Sequence, residues 1–247
     1  MEEASRSNLL LVSLPLLILF FILVSRRIMR ETSPAAAARL PVSLLVVAGS
    51  GGHTTEMLRA LSALPAPRYS PRLYLMGGSD PLSRAKILAH EETWGARGGE
   101  VRVEEVLRCR EVAEPLGRSL LKAAVATVQA LWILLTVSQP PQLVLCNGPG
   151  TCLPILLAAW IFSLIRLPLH LLYGPPPPGG DGGSSATRWR PRLVFLESVC
   201  RVHSLSLSAR LSRRLVDHLV VQWPQIQQQQ GGGWRWAAKT TYLGRVV

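Results

Sequence analysis

The sequence predicts an α/β domain with a mostly parallel sheet, preceded by one amino-terminal transmembrane helix. Three observations lead to this fold class. From Val42 onward, short apolar runs alternate with helical stretches, which is the pattern of strands joined by crossover helices. Two of these runs pass directly into glycine-containing turns that open helices. Near the amino terminus, a separate uncharged segment is long enough to cross a thin bilayer.

The uncharged segment covers residues 9–24. With its polar neighbours it makes about nineteen residues, or roughly 28 Å of helix, which suits an endoplasmic reticulum bilayer of about 27 Å. Arg26, Arg27 and Arg30 follow it, so the positive-inside rule places the rest of the chain in the cytosol. A cleaved signal peptide is the alternative, favoured by the alanines at 35–38, but the basic n-region of such a peptide is missing.

The chain is expected to divide into a short lumenal tail, a transmembrane anchor, a basic Pro/Ala linker and one cytosolic domain. These parts are predicted at residues 1–8, 9–25, 26–41 and 42–247. Within the domain, residues 173–192 contain four consecutive prolines and a Gly/Ser run, which predicts a flexible surface insertion. The glutamine/glycine tract at 227–233 is similar in composition.

Seven strands and several helices are expected in the domain. The strands are predicted at residues 44–48, 72–76, 101–106, 143–146, 193–196, 218–221 and 241–243. After the first glycine turn, four apolar residues share one helical face: Met57, Leu58, Leu61 and Leu64. Longer helices are expected at 116–138 and 151–167. The second of these has an uncharged run at 153–165, which is too short to span a bilayer and indicates a buried or membrane-surface helix.

The charge balance indicates an acidic partner. The chain has 27 Lys and Arg residues against 15 Asp and Glu residues, a net charge of +12. A phosphorylated ligand or an anionic membrane surface fits this charge. Nucleic acid is not expected, because no basic run is interleaved with aromatic residues. The four cysteines form no C-x-x-C pair, so they are interpreted as reduced, mostly buried thiols, and neither a metal nor a cofactor is expected.

The first glycine turn follows the strand at 44–48 and comprises residues 49–54. Its glycines, at 49, 51 and 52, leave no Cβ in the way, so that backbone N–H groups at the start of the next helix can approach an anion. A dinucleotide fingerprint would need a third glycine at Thr54 and an acidic residue about twenty positions further on. NAD and FAD are therefore disfavoured. An ordinary tight turn is the alternative.

A second strand-to-helix turn covers residues 147–151, with the sequence Asn-Gly-Pro-Gly-Thr. Two helix amino termini would then point at one crevice outside the strand ends and together hold a diphosphate. The alternative is an ordinary helix cap that uses Thr151.

Three segments together resemble a known family: residues 46–54, 143–151 and 197–202. They are similar to the membrane-anchoring subunit of the eukaryotic UDP-N-acetylglucosamine transferase that adds the second GlcNAc to dolichyl-diphosphate-GlcNAc. More remotely, the first turn resembles the acceptor half of MurG-type glycosyltransferases. The resemblance implies a GT-B-like Rossmann half domain on the cytosolic face of the endoplasmic reticulum. The insertion at 173–192 departs from the family pattern.

The resemblance also implies partners. A one-chain enzyme would continue past Val247 into a nucleotide domain, so a separate cytosolic catalytic subunit is expected to bind UDP-GlcNAc, and this chain to be inactive alone. The chain itself is expected to bind the lipid acceptor. The tail at 242–247 is predicted to dock the partner, with Leu243, Val246 and Val247 buried in the interface. The alternative is that the tail completes the core of the domain itself.

Two residues are candidates for catalysis. His53 lies at the tip of the first turn, where an imidazole can take the proton of the acceptor hydroxyl; capping the helix or binding phosphate is an equally open role. Glu197 is the rival base, or a structural residue that holds its loop. Glu56 is expected to contact sugar hydroxyls or to cap the helix. The candidate acceptor- and phosphate-binding residues are Gly49, Ser50, Gly51, Gly52, Thr54, Asn147, Gly148, Gly150, Thr151 and Arg201.

Two other functions remain open. One is a membrane scaffold whose loops do not contact substrate, and the other is a membrane-tethered, nucleotide-dependent oxidoreductase. Substitution of His53 and Gly52 separates the first from a substrate-binding subunit, because a scaffold tolerates both changes. Cofactor binding would reveal the second.

Overall fold

The computed structural model describes residues 41–95, 98–109, 115–148, 150–173, 190–229 and 239–244. The strands are β1 (Val42–Ala48), β2 (Tyr69–Gly77), β3 (Val101–Val106), β4 (Leu143–Asn147), β5 (Arg192–Leu196), β6 (His218–Val221) and β7 (Lys239–Tyr242). The α-helices are α1 (Gly52–Ser62), α2 (Pro81–Trp94), α3 (Leu116–Thr136), α4 (Cys152–Tyr173), α5 (Leu207–Ser212) and α6 (Pro224–Gln229).

The strands form one sheet in the order β3-β2-β1-β4-β5-β6-β7, and every neighbouring pair is parallel. This is a doubly wound arrangement, in which the chain builds outward from β1 in one direction and then from β4 in the other. The reversal between β1 and β4 creates the crevice where such sheets bind ligands, outside the carboxyl ends of the strands. The α/β fold class with a mostly parallel sheet is therefore confirmed.

Helices cover both faces of the sheet, as a parallel sheet requires. The side chains of β1 alternate between two apolar clusters: Leu44 and Val46 belong to the cluster with α1 and α2, whereas Leu45 and Val47 belong to the cluster with α3 to α6. Each of these four side chains is at most 1% exposed. Burial on both faces explains why β1 is a continuous apolar run in the sequence.

All seven predicted strands are present, and β1, β2 and β7 begin two or three residues earlier than predicted. The apolar stripe of α1 is confirmed as well, because Met57, Leu58 and Leu61 are buried against the sheet. The sequence did not predict α2. Its buried residues follow a helical spacing, but two of the three, Ser83 and Glu91, are polar. Helix α2 therefore lacks the apolar stripe by which a helix is recognised.

The low-complexity predictions lie partly outside the described residues. Helix α4 continues through Pro168 to Tyr173, six residues beyond its predicted end at Leu167. Arg192 begins β5, and residues 174–189 between them are outside the described ranges. Three residues of the glutamine/glycine tract, at 227–229, belong to α6. The inner face of α4, which includes Ile155 and Phe162, is buried in the core, which fits the first of the two predicted alternatives, a buried helix or a membrane-surface helix.

The predicted anchor at 9–24 also lies outside the described residues, as does all of the chain before Pro41. Of the helices that the structure does describe, α3 is the one long and apolar enough to cross a membrane, with a mean hydropathy of 1.6 over Gly117–Thr136. Its inner stripe, which includes Ala130, Ile133 and Leu134, packs into the core beside α4. Because α3 forms part of the sheet's covering layer, its apolar outer stripe lies on the surface of the domain.

A buried ion pair attaches α2 to the sheet. Arg72 on β2 donates from Nη2 to Glu91 Oε2 at 2.8 Å and from Nε to both carboxylate oxygens at 3.0 Å. The hydroxyl of Tyr74 donates to the same carboxylate, and the Arg72 guanidinium lies 5.4 Å from the Trp94 ring centroid. Arg72 is 2% exposed and Glu91 9%. Both charges are therefore buried away from water, and each has the other as its partner.

We expect Glu91→Gln to lower the free energy of unfolding by about 3 kcal/mol, because it leaves the Arg72 guanidinium buried without a counter-charge. Urea unfolding of the purified full-length chain in detergent measures the loss. Glu104→Gln is the control, since Glu104 pairs with Arg102 at the surface and such pairs contribute less than about 1 kcal/mol. Equal losses in the two variants would contradict the proposed role of the buried pair.

Candidate functional site

The candidate site lies at the carboxyl ends of β1, β4 and β5, which are neighbours in the sheet. The first glycine turn follows β1, the second follows β4, and Glu197 follows β5 directly. Three segments that are far apart in the sequence thus meet at one edge of the sheet. This edge includes the switch point between β1 and β4, where the two glycine turns lie side by side.

The glycines of the two turns have different roles. A Cβ placed on Gly49 would lie 2.7 Å from His53 Cβ and 2.9 Å from the Asn147 carbonyl oxygen. A Cβ on Gly148, whose φ is +107°, would lie 3.1 Å from His53 Cβ. These two glycines therefore allow the His53 side chain to pack between the turns. At Gly51 and Gly52, a Cβ would meet nothing within 4 Å, so these glycines face open space.

The amino terminus of α1 is open on the side of the crevice. Gly51 occupies the N-cap position with φ +64°, and no side chain caps the helix. The Asp80 carboxylate is held nearby: burial tends to raise its pKa, but hydrogen bonds with Ser83 and one from the Gly51 backbone N–H lower the pKa. The backbone N–H of Gly52, next in the chain, begins the helix without a capping side chain.

Thr54 supports the turn from beneath. Its side chain is fully buried and its hydroxyl donates to the Gly49 carbonyl oxygen. The same hydroxyl lies 2.8 Å from Ser83 Oγ, which in turn lies 2.7 Å from Asp80 Oδ2. Sequence reasoning placed Thr54 among the acceptor-binding residues. In the structure, the Thr54 hydroxyl is covered by α2 and is hydrogen-bonded to the backbone of the turn.

A polar cluster connects the three segments, and we call it the His53 cluster: His53, Glu56, Asn147, Ser198 and Glu197. His53 Nδ1 lies 3.1 Å from Asn147 Oδ1 and 3.5 Å from Glu56 Oε2. Asn147 Nδ2 donates to Glu56 Oε2 at 3.0 Å, and Ser198 Oγ donates to Glu56 Oε1 at 2.8 Å. Glu56 is thus the hub of the cluster, which joins α1 to the turns after β4 and β5.

The cluster changes the proton affinities of its members. The hydrogen bond with Glu56 raises the pKa of the His53 imidazole above its usual value, although burial of the ring acts in the opposite direction. Burial alone would raise the pKa of the Glu56 carboxyl, but hydrogen bonds from its three partners outweigh burial and lower the pKa. His53 is partly exposed, and within the described part of the chain its Nε2 has no hydrogen-bond partner. Nε2 is therefore the ring atom available to a ligand.

Glu197 is committed to its own loop. Its Oε1 accepts from the Ser198 backbone N–H at 3.0 Å and its Oε2 from the Ser206 backbone N–H at 2.8 Å. The Glu197 carbonyl oxygen accepts from Gln222 Nε2 at 3.1 Å, and the side chain is 2% exposed. With both carboxylate oxygens bonded to backbone, Glu197 fits the structural role that the sequence left open better than the role of a base.

The remaining predicted site residues surround the His53 cluster. Ser50 and Arg201 are exposed, the latter on the turn after Glu197. Gly150 has φ +76°, and Thr151 is buried just before α4. Leu243 is exposed after β7, far along the sheet from β1. Val246 and Val247 lie outside the described residues.

Sequence reasoning missed three contributors to this edge. Glu56 was expected to meet sugar or to cap the helix; instead it points into the cluster, and its i,i+3 spacing from His53 was the available signal. Ser198 has no local pattern that predicts a role for it. Arg108, which follows β3, was not considered: a Cβ on Gly77 would lie 3.7 Å from Arg108 Cγ and 3.4 Å from Thr151 Oγ1. No pattern in the sequence marks Arg108, because its position depends on the pairing of β2 with β3.

The doubly wound parallel sheet, with a histidine-centred cluster at its switch point, defines a Rossmann-type α/β domain. Residues 44–245 match the family described as "Oligosaccharide biosynthesis protein Alg14 like". The chain belongs to this Alg14 family, and the resemblance seen in the sequence is confirmed.

Two relatives carry the name "UDP-N-acetylglucosamine transferase subunit ALG14". The Mus musculus protein is 35% identical over 217 residues, which cover 85% of each chain. The Homo sapiens protein is 33% identical over 216 residues, again with 85% of each chain covered. Among solved structures, Acinetobacter baumannii MurG aligns with a TM-score of 0.46 and 13% identity, covering 75% of this chain and 42% of MurG.

Proposed function

We propose that this chain is the membrane-anchoring and acceptor-binding subunit of a UDP-GlcNAc glycosyltransferase. The complete enzyme adds the second GlcNAc to dolichyl-diphosphate-GlcNAc on the cytosolic face of the endoplasmic reticulum, and its UDP-sugar half is a separate catalytic subunit. The names of the relatives support a subunit role in a UDP-N-acetylglucosamine transferase. The observation that carries the role of this chain is the His53 cluster, which presents an unpartnered imidazole nitrogen between two glycine turns.

His53 is the general base in this proposal. Its Nε2 takes the proton of the acceptor hydroxyl while the hydroxyl oxygen bonds to the anomeric carbon of the donor sugar. The bond from that carbon to UDP breaks, and UDP leaves with the electron pair. A base that is partly exposed, and whose opposite nitrogen is held by Asn147 and Glu56, meets the geometric requirement for such a transfer.

The two glycine turns hold the acceptor diphosphate. The N-cap residue of α1, Gly51, has no side chain to cap the helix, and Gly52 leaves open space in front of it. Oriented backbone N–H groups and the helix dipole attract an anion there. Gly150 and the exposed Arg201 approach the same edge from β4 and β5. The net charge of +12 supports an anionic lipid substrate.

The outer stripe of α3 supports attachment of the domain to the membrane. Leu121, Val128 and Trp132 follow helical spacing and are 68%, 66% and 61% exposed. The charged residues of α3 are Arg118 and Lys122, both basic and both in its first two turns. An exposed apolar stripe with basic residues at one end fits an anionic bilayer surface. The anchor at 9–25 would then hold this face against the lipid.

The tail at 242–247 is proposed to dock the catalytic subunit. Leu243 is 65% exposed and follows β7, the last strand at its edge of the sheet. An apolar side chain at such an edge is suited to burial against another protein. Val246 and Val247 are proposed to belong to the same interface.

We expect His53→Ala to reduce sugar transfer by the assembled complex by about 10²- to 10⁴-fold, because the acceptor hydroxyl loses its base. Gly52→Ala adds a Cβ in open space, so we expect normal folding with a raised KM for the acceptor. Turnover of UDP-GlcNAc with a polyprenyl-diphosphate-GlcNAc acceptor measures both. The partner subunit is omitted in a parallel assay, which should show no transfer. Normal kinetics in both variants would support a scaffold without substrate contacts.

Replacing Leu121, Val128 and Trp132 by Ser is expected to weaken liposome binding by at least about tenfold, because each side chain loses its burial in lipid. The measurement is flotation of the chain lacking residues 1–30 with vesicles of phosphatidylcholine and phosphatidylinositol. Leu88→Ser is the control, since Leu88 is 47% exposed on α2, on the other face of the sheet. Unchanged flotation of the triple variant would show that α3 does not contact the membrane.

Removal of residues 245–247 is expected to abolish co-purification of the catalytic subunit and to leave membrane insertion unchanged. The physical reason is the loss of apolar area at the proposed interface. Leu82→Ser provides the control, because Leu82 is 74% exposed at the opposite end of the sheet. Full recovery of the partner with the shortened chain refutes the docking role of the tail.

A further inference from the structure

Glu56 is a buried carboxylate whose ionisable neighbour is a histidine rather than a lysine or an arginine. It lies one helical turn after His53 on α1 and is 8% exposed. Its oxygens are occupied by Asn147 Nδ2 at 3.0 Å and Ser198 Oγ at 2.8 Å, and Oε2 faces His53 Nδ1 at 3.5 Å. Burial of a carboxylate is costly unless it is fully hydrogen-bonded. A residue that only filled space here would be better apolar, so the charge itself has a role.

The donors and acceptors in the cluster determine one protonation state of His53. An ionised carboxylate only accepts hydrogen bonds, so the Asn147 amide must turn Nδ2 towards Glu56. This leaves Asn147 Oδ1 towards the imidazole, 3.1 Å from His53 Nδ1. Both neighbours of Nδ1 are then acceptors, and Nδ1 must carry the proton. The lone pair of the neutral ring is therefore on Nε2, the ring nitrogen that has no hydrogen-bond partner among the described residues.

We propose that Glu56 is a positioning residue, which fixes the tautomer and orientation of His53 and stabilises the imidazolium when Nε2 takes the acceptor proton. This inference rests on the proposed function, in which His53 is the base. Glu56 does not touch the substrate. It acts through His53 directly and through the Asn147 amide, and Ser198 holds its second oxygen.

Two charged groups face His53 from the elements around it. Glu56 comes from the same helix, and Glu197 comes from the loop after β5. Glu197 is bonded through both oxygens to backbone N–H groups, whereas Glu56 faces the imidazole itself. Of these two carboxylates, Glu56 raises the pKa of His53 more than Glu197 does. Loss of the Glu56 charge lowers the pKa of His53. The imidazole then stays neutral down to a lower pH, but it is a weaker base.

The test uses Glu56→Gln in the assembled complex with UDP-GlcNAc and a polyprenyl-diphosphate-GlcNAc acceptor. We expect kcat to fall about 10- to 100-fold with little change in the acceptor KM. The acidic limb of the kcat–pH profile should move to lower pH. Glu92→Gln is the matched control on the exposed side of α2 and should change neither value. A purely structural role for Glu56 would lower the yield of active complex without moving the pH limb.

A double variant separates this inference from the proposed function. If Glu56 acts through His53, adding Glu56→Gln to His53→Ala costs no further activity. If His53→Ala itself retains normal turnover, the base assignment within the proposed function fails, whatever Glu56→Gln does. If His53→Ala is impaired but Glu56→Gln adds its full effect to it, only the positioning role of Glu56 is overturned.

Nitrogen NMR of histidine-labelled wild-type complex provides a measurement that needs no Glu56 variant. We expect neutral His53 to carry its proton on Nδ1 rather than on Nε2. A neutral ring protonated on Nε2 overturns the inference, whether or not Glu56→Gln folds.

Discussion

The candidate site depends on the parallel pairing of β1 with β4. Their register, with Val47 opposite Cys146, brings Gly49 and Gly148 to the same level at the carboxyl edge of the sheet. His53 packs between them so closely that a Cβ on either glycine would meet its side chain. If the register slipped by one residue, each side chain of β1 would turn to the other face and the two turns would separate. The position of the imidazole is thus fixed by backbone pairing and by two missing Cβ atoms.

Two buried carboxylates on the same side of the sheet have partners of different kinds. Glu91 is paired with the Arg72 guanidinium, which stays charged at every physiological pH, so the pair acts as a permanent attachment of α2. Glu56 instead faces a histidine, whose charge changes near neutral pH, and is otherwise bonded to neutral groups. Only the second arrangement can respond to the gain and loss of a proton, which is what a general base needs.

The strands could be predicted from the sequence because a parallel sheet buried on both faces leaves continuous apolar runs. Helix α2 could not, since Ser83 and Glu91 on its buried side meet polar partners that only the folded chain supplies. The same limit applies to the site. His53 and the two glycine turns are visible as local patterns, but Glu56 binds Asn147 across 91 residues and Ser198 across 142. Contacts with such distant partners do not appear in local spacing, and for this reason the sequence does not show the place of Glu56 in the cluster.

The chain direction of α3 relates the apolar surface to the site. A crossover helix runs antiparallel to the strands it joins, so α3 begins near the carboxyl edge of the sheet and ends near the amino edge. Leu120 and Leu121, which are 71% and 68% exposed, therefore lie at the end of the helix nearer to the His53 cluster. The proposed substrate has a diphosphate–sugar head on a lipid tail, and its head must reach the cluster while its tail stays in the bilayer. An apolar surface that begins at the same edge as the cluster allows both at once, because the domain can rest on the membrane with the crevice turned towards it. The parallel topology that fixes the imidazole thereby also sets the side from which a lipid substrate can approach it.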